Sequence, residues 1–208
     1  MTIISSEEEL RKALSLFKGQ TCWNVSSFAI GCSLNLYFGK AVEEFVNNSE
    51  KESPETYFIG QYGLFFICSW RLDDENHNPF LSSHWPDYHE IKTTAISLIG
   101  ETIESIEITP PVWETTVCFS SGKQLRAFCD CIPGTIFPSG GFPLINWWCD
   151  KDEESYYIGP GQEIRKSEQH PRLVSNTLYD PKEIDFEFVN SDKNYVPEDE
   201  DEEVKPDD

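Results

Sequence analysis

Histidine and cysteine are the residues of this chain that could bind a metal ion. His84 and His89 lie five positions apart, Cys129 and Cys131 are separated by one residue, and Cys149 follows later. Zinc sites use spacings such as Cys-x-x-Cys or His-x-x-x-His, which bring two ligands to one side of a turn or helix. The chain contains neither spacing, so the sequence predicts no metal site, and no motif indicates another cofactor.

Nucleophilic catalysis needs a serine or cysteine beside a general base. A serine precedes His84, but no Gly-x-Ser-x-Gly segment exposes a hydroxyl, and four histidines leave little choice of base. The Gly-rich segment 138–143 runs toward a strand and has no lysine after it, unlike a phosphate-binding loop. The Trp pair at 147–148 could line a sugar cleft beside Asp150, but carboxylate pairs are not diagnostic among 37 acids. The sequence therefore leans away from an enzyme.

Charge is the most informative property of the chain. Its net charge is −21 over 208 residues, from 37 acidic and 16 basic side chains. Nine of the acids and two of the lysines lie in residues 190–208, which leaves residues 1–189 with 14 more acids than bases. A field of this sign repels phosphate backbones and anionic lipid and speeds encounter with basic surfaces. We expect a basic protein as partner, and neither nucleic acid nor a membrane.

The cysteines and the N-terminus indicate a compartment. The chain has seven cysteines spread through apolar runs, and residues 1–14 lack the basic and apolar regions of a signal peptide. The longest apolar stretch, residues 63–70, is far short of the ~20 residues of a membrane helix. We expect free, mostly buried thiols in a reducing cytoplasm. The oligomeric state cannot be read from the sequence.

Two stretches of the chain share one plan of elements. The first begins with a helix capped by Ser5 or Ser6 and ended by Gly19, followed by strands at 21–28 and 33–38. The second begins with a helix at 88–99 closed by Gly100, followed by strands at 102–109 and 114–120. The sequence predicts a sheet-dominated α+β fold in a single domain, residues 1–189, with two similar helix–Gly–β-hairpin units at 5–40 and 87–125. Residues 190–208 are predicted to be an acidic disordered tail.

The remaining segments complete the expected fold. We expect residues 64–68 to form a strand buried on both faces, because they are apolar in both phases. The other expectations are a helix and acidic loop at 41–54, strands within 56–72 interrupted at Gly60 and Gly63, a polar loop at 73–86, a strand at 123–130, a hairpin of 144–149 and 156–158, and an edge strand at 184–189 within an otherwise aperiodic region past His170.

A family resemblance rests on scattered aromatics and glycines. The segments Gly19-x-x-Cys22-Trp23-x-Val25-Ser26, Leu34-x-Leu36-x-Phe38-Gly39 and Trp70-Arg71-Leu72 resemble a group of small, largely uncharacterised bacterial proteins of accessory or immunity type. The similarity covers about the first 160 residues. It implies a non-enzymatic role in neutralising another protein, and it carries no defined site residue.

Charge and resemblance together favour a protein-binding module, and the specific form they indicate is an immunity protein that neutralises a basic toxin. Acidic residues would steer the partner, and exposed aromatic residues would anchor it. The predicted contact residues are Glu52, Glu55, Asp73, Asp74, Glu75, Trp85, Asp87, Asp150, Asp152, Glu153 and Glu154. Two alternatives stay open: a small enzyme or ligand-binding domain with a Trp- and Tyr-lined pocket between the units, and a protein whose acidity serves only solubility.

Overall fold

A computed structural model describes residues 2–28, 33–46, 55–129, 147–151, 154–158, 163–168 and 174–183. Two α-helices occur in these ranges, Glu7–Ser15 (α1) and Tyr88–Ala95 (α2), and α2 continues into a 3₁₀ turn at Ile96–Leu98. The strands are Thr2–Ile4 (β1), Asn24–Phe28 (β2), Ser33–Val46 (β3), Glu55–Phe66 (β4), Ser69–Asp73 (β5), Pro79–Ser82 (β6), Ile103–Thr109 (β7), Glu114–Phe119 (β8), Gln124–Phe128 (β9), Trp147–Lys151 (β10), Glu154–Ile158 (β11), Ile164–Glu168 (β12) and Val174–Tyr179 (β13).

The strands form two antiparallel sheets, so the predicted sheet-dominated α+β fold is confirmed. The first sheet has the order β1-β12-β11-β10-β4-β3-β13, and β2 also pairs with β3. The second sheet has the order β6-β5-β9-β8-β7. One cluster of buried side chains draws on both sheets and both helices. The two sheets therefore share a single hydrophobic core.

Both helices lie where the sequence predicts them, although α1 ends at Ser15, before Gly19, and the α-helical part of α2 ends at Ala95, before Gly100. Ser6 caps α1 in a reciprocal capping box, in which its hydroxyl accepts from the Glu9 N–H at 3.2 Å and the Glu9 carboxylate accepts from the Ser6 N–H at 3.1 Å. Asp87 caps α2 by accepting from the N–H of His89 at 2.8 Å. Gly19 and Gly100 follow the two helices with φ of 81° and 91°, a left-handed conformation that glycine adopts without strain.

Strands in three segments of the chain were missed in the sequence. The sequence predicts a helix at 41–54, but residues 41–46 continue strand β3. A bulge between Phe38 and Ala41 carries the strand past Gly39, and residues 41–46 then pair with β4. The polar loop at 73–86 contains β6, and the aperiodic region past His170 contains β13. Local apolar periodicity does not reveal strands whose stability comes from distant pairing partners.

The predicted central strand is confirmed. β4 lies between β3 and β10, and Leu64, Phe65 and Phe66 are buried, although the strand ends at Phe66. The strand is not interrupted at Gly60 or Gly63. The two glycines allow close packing within the strand instead of ending it. At Gly63, the Phe65 ring covers the space that a Cβ would fill.

Gly60 gives the first testable prediction. A Cβ at this position would lie 2.8 Å from both the backbone N and the backbone O of Phe38, and these atoms cannot move without breaking the β3–β4 pairing. We expect Gly60→Ala to lower the free energy of unfolding by about 1–3 kcal/mol, as overpacking does. Urea denaturation would measure this free energy. Gly19→Ala is the control without crowding, because a Cβ at Gly19 meets nothing within 4 Å and costs only backbone strain.

The two predicted units correspond residue by residue at a constant offset. In the β2–β3 hairpin, residues 24 and 37 pair, and in the β7–β8 hairpin residues 105 and 118 pair, so the register is the same at an offset of 81 positions. The same offset relates the helix caps Ser6 and Asp87 and the terminating glycines at 19 and 100. This agreement supports an internal duplication, which stays a prediction.

The two units meet about a local twofold axis. The N–H of Gly19 donates to the Ile103 carbonyl at 2.8 Å, and the equivalent N–H of Gly100 donates to the Cys22 carbonyl at 2.8 Å. The N–H of Cys22 donates to the Glu101 carbonyl, and the N–H of Ile103 donates to the Gln20 carbonyl. Between them the hydroxyls of Thr21 and Thr102 lie 3.0 Å apart. The sequence motif of helix, glycine and threonine therefore forms the contact between the units.

Each unit also contributes a hairpin to the other unit's sheet. The chain leaves β4 in the first sheet and forms β5–β6 against β9 of the second sheet, whereas β10–β11, which follows β9 in the chain, pairs with β4. The two pairings have the same register. Leu72 pairs with Leu125 in the second sheet, and Cys149 pairs with Leu64 at the equivalent position of the first sheet. The repeat therefore extends beyond residues 5–40 and 87–125 and includes an exchange of hairpins.

Candidate functional site

Two exposed residues among the predicted contact residues lie where β6 leads into α2. Trp85 is 36% exposed, and its indole N–H donates to the Glu90 carboxylate at 2.6 Å. Asp87 is exposed and accepts from the first backbone N–H groups of α2. Ser83 anchors the segment, because its N–H donates to the Trp70 carbonyl at 2.9 Å and its hydroxyl accepts from the Trp70 N–H. We call Trp85, Asp87 and Glu90 the Trp85 surface.

The Trp85 surface is suited to recognise a cation. An indole held by one edge presents its face to a ligand with little loss of side-chain freedom, and aromatic faces attract Lys and Arg. The two carboxylates beside it add negative charge, since Asp87 and Glu90 carry no ion-pair partner among the described residues. Glu90 was missed in the sequence, although its position three residues after the cap Asp87 places it on the first turn of α2.

A second predicted pair, Asp74 and Glu75, forms the β5–β6 turn. The Asp74 carboxylate accepts from the N–H groups of Asn76 and Asn78 at 2.9 and 2.8 Å, and hydrogen bonding led by the Asn78 N–H holds the pKa of Asp74 below its ordinary value. Glu75 is exposed and lies against Gly122 of the β8–β9 turn. The β5–β6 turn and Trp85 lie at opposite ends of β6. Asp74 and Glu75 therefore do not form one cluster with Asp87 and Glu90.

Two of the predicted contact residues are buried in the fold. Asp73 is fully buried with its carboxylate between Arg71 and Arg126, and Asp150 is 4% exposed and accepts from the Ser155 hydroxyl at 2.6 Å. Neither carboxylate is available to a partner, which corrects the expectation that they are surface acids. The local sequence could not show that Asp73 is buried. One of its two arginine partners, Arg126 on β9, lies far later in the chain.

The other predicted residues contribute less. Glu154 forms an ion pair with Lys166 at 2.6 Å, so its charge is neutralised locally. Glu55 begins strand β4. Glu52, Asp152 and Glu153 lie outside the described residues, as do the predicted strand at 184–189 and the tail at 190–208.

The cysteines of the described ranges are free thiols: Cys22, Cys68, Cys118, Cys129 and Cys149. Burial raises the pKa of Cys22 to about 12 and also raises the pKa of Cys149, with the nearby Asp150 charge adding to the second shift. Neither thiol forms a thiolate at neutral pH, so neither can act as a nucleophile. Within the described part of the chain, no three His, Cys, Asp or Glu side chains are grouped to hold a metal ion. None of the described helices has the length and apolarity to cross a membrane.

The class of protein defined by these observations is a two-sheet α+β fold built from two hairpin-exchanging units. Comparison of the chain with family models, with curated proteins and with solved structures finds no match. The function therefore has to be argued from the residues of this chain alone.

Proposed function

We propose that this protein is a non-enzymatic module that binds a basic protein in the cytoplasm, in the specific form of an immunity protein that neutralises a basic toxin. The observation that carries the proposal is the Trp85 surface, an exposed indole fixed by a carboxylate and flanked by a second acid. Interfaces draw most of their binding energy from such aromatic anchors, and charge sets the rate of encounter.

The charge of the whole chain supports the same partner chemistry. Residues 1–189 hold 14 more acids than bases, so most of the attraction toward a basic surface remains without the tail. The field of these charges extends about 8 Å into a solution of physiological salt, far enough to orient an approaching cationic surface. A toxin that binds nucleic acid would present such a surface, and the carboxylates would occupy the positions of phosphates.

Trp85→Ala is expected to weaken binding of the basic partner by about 2 kcal/mol or more, roughly 30-fold, because the aromatic anchor is lost. Glu90→Gln should have a smaller effect in the same direction, since the indole loses its charged acceptor. Calorimetric titration of the purified partner would measure both. The matched control is Val112→Ala, which truncates another exposed apolar side chain, 45% exposed, and should change affinity by less than about 0.5 kcal/mol.

Removal of residues 190–208 is expected to leave the fold intact and to slow association with the basic partner. The deleted segment has nine acids and two lysines, so long-range attraction falls. Stopped-flow association at low salt should show a several-fold lower rate, and the difference should vanish at high salt. Unfolding of the truncated chain would contradict the domain boundary at residue 190.

A further inference from the structure

The two arginines that contact Asp73 face away from the core of the second sheet. Arg71 on β5 and Arg126 on β9 are directly paired, and their neighbours Leu72 and Leu125 point into the core. The side chains of Arg71 and Arg126 are 37% and 33% exposed, whereas that of Asp73 is 0% exposed. One buried carboxylate thus holds two partly exposed guanidinium groups side by side, leaving one positive charge in excess.

The guanidinium groups keep most of their donors. Both Nε atoms are buried against the Asp73 oxygens, at 2.7 and 3.1 Å, without the alignment of a hydrogen bond, and Nη2 of Arg71 donates to Asp73 at 3.2 Å. Nη2 of Arg126 donates to Gln124 at 2.9 Å. Nη1 of Arg71 and of Arg126 has no partner among the described residues. The Nη ends of both guanidinium groups are therefore held in place and keep N–H groups that no described residue accepts.

The surroundings suit an oxyanion. Ser82 is the β6 neighbour of Arg71, and Thr116 is the β8 neighbour of Arg126, so hydroxyl residues flank the two arginines in one row across the sheet. The Arg71 guanidinium also lies over the Phe128 ring, with its Cζ 5.9 Å from the ring centroid, a cation–π contact. Two arginine forks with adjacent hydroxyls match the three oxygens of a phosphate group better than the two of a carboxylate.

The repeat places other residues at the positions equivalent to these arginines. The positions equivalent to Arg71 and Arg126 in the first sheet are Trp148 and Phe65, which pair with each other in the same register. The position equivalent to Asp73 is Asp150, again a buried acid. The same sheet position therefore holds a buried aspartate in both sheets, with two arginines beside it in the second sheet and Trp148 and Phe65 at the equivalent positions of the first.

We propose that Arg71 and Arg126 form a binding site for a single phosphate group, either inorganic phosphate or a phosphate monoester. The net charge of −21 slows the approach of any anion, but a phosphate at the sheet surface is held by the charges within a Debye length, among which the two guanidinium groups outnumber the Asp73 carboxylate. The site needs no part of the proposed protein-binding function.

The test is a titration of the ¹⁵N-labelled full chain with sodium phosphate, monitored by amide chemical shifts, with sodium chloride and sodium acetate at equal ionic strength as reference titrations. We expect saturable shifts at millimolar phosphate that centre on β5 and β9. O-phosphoserine should shift the same amides if a monoester fits, and its failure to do so would restrict the site to inorganic phosphate and overturn the monoester form. Equal shifts with acetate, or none that saturate with phosphate, would overturn the site itself.

Variants separate binding from folding. Arg126→Gln should weaken phosphate binding at least about ten-fold, and Arg126→Lys, which keeps the charge and loses the fork, should weaken it several-fold while remaining folded. Asp73→Asn removes the competing acceptor and should tighten binding, an effect that a purely structural role for the ion cluster does not produce. The control is Arg165→Gln, another ion-paired arginine, on β12. Equal affinities of Arg126→Lys and wild type would overturn the proposal.

Discussion

Phe17→Ala is expected to lower the free energy of unfolding by about 3–5 kcal/mol, the loss typical of a buried phenylalanine replaced by alanine. Phe17 follows α1 and is fully buried. Its ring contacts the rings of Phe38 at 5.6 Å and Tyr62 at 5.9 Å, both edge-on, so it joins the end of the helix to β3 and β4. The substitution removes these contacts and leaves a cavity that the sheet cannot close.

The neighbouring residue provides a matched control. Leu16 is 38% exposed, so Leu16→Ala on the same helix end should cost less than about 1 kcal/mol. Guanidinium denaturation of both variants, with equal slopes required for the comparison, gives the two free energies. Similar losses for Phe17→Ala and Leu16→Ala would contradict the placement of α1 against the sheet.

Separation of the two halves is expected to abolish folding. A chain of residues 1–86 and a chain of residues 87–208 each lose the strand that pairs with an exchanged hairpin, since β5 pairs with β9 and β10 pairs with β4. The pairs β1–β12 and β3–β13 also connect the halves. Neither half can complete its sheet, and the unpaired edges would invite aggregation.

The experiment compares each half alone with the two halves expressed together. Together they should form a one-to-one complex with the circular dichroism spectrum of the intact chain. Alone, each half should lack the dispersed NMR amide spectrum of a folded monomer. A well-folded monomer of residues 1–86 would show that the hairpin exchange is dispensable and would contradict this topology.

The elements with local signals could be predicted from the sequence. The cap Ser6 and the glycines at 19 and 100 have signals within a few positions of each helix, and the acidic run 150–154 indicates the hairpin of β10 and β11. Helix ends and tight turns depend on backbone chemistry that is visible in a short window.

The pairing of distant strands could not be predicted in the same way. The extension of β3 to Val46 depends on β4, and the position of β10 depends on a partner more than 80 residues earlier in the chain. One signal of the exchange was present, since Trp-x-x-Asp occurs at 70–73 and again at 147–150, and the two segments occupy equivalent places in the two sheets.

The candidate contact residues show the limit of arguments from charge. Asp74, Trp85 and Asp87 lie at turns and helix starts, where exposure follows from local sequence. Asp73 is in a similarly acidic stretch but is buried, because Arg126 approaches from a strand that follows much later in the chain. Composition identifies the sign of the surface, whereas tertiary pairing decides which acids belong to it.

The proposal of a basic protein partner is tested most directly by affinity capture. The full chain and its Trp85→Ala variant would be immobilised and exposed to lysate of the native host at low and at high salt, with bound proteins identified by mass. We predict one basic protein, recovered in stoichiometric amount by the wild type, weakened by salt and much reduced with the variant. Recovery of no specific protein at either salt concentration, or equal recovery by both chains, would contradict the proposal.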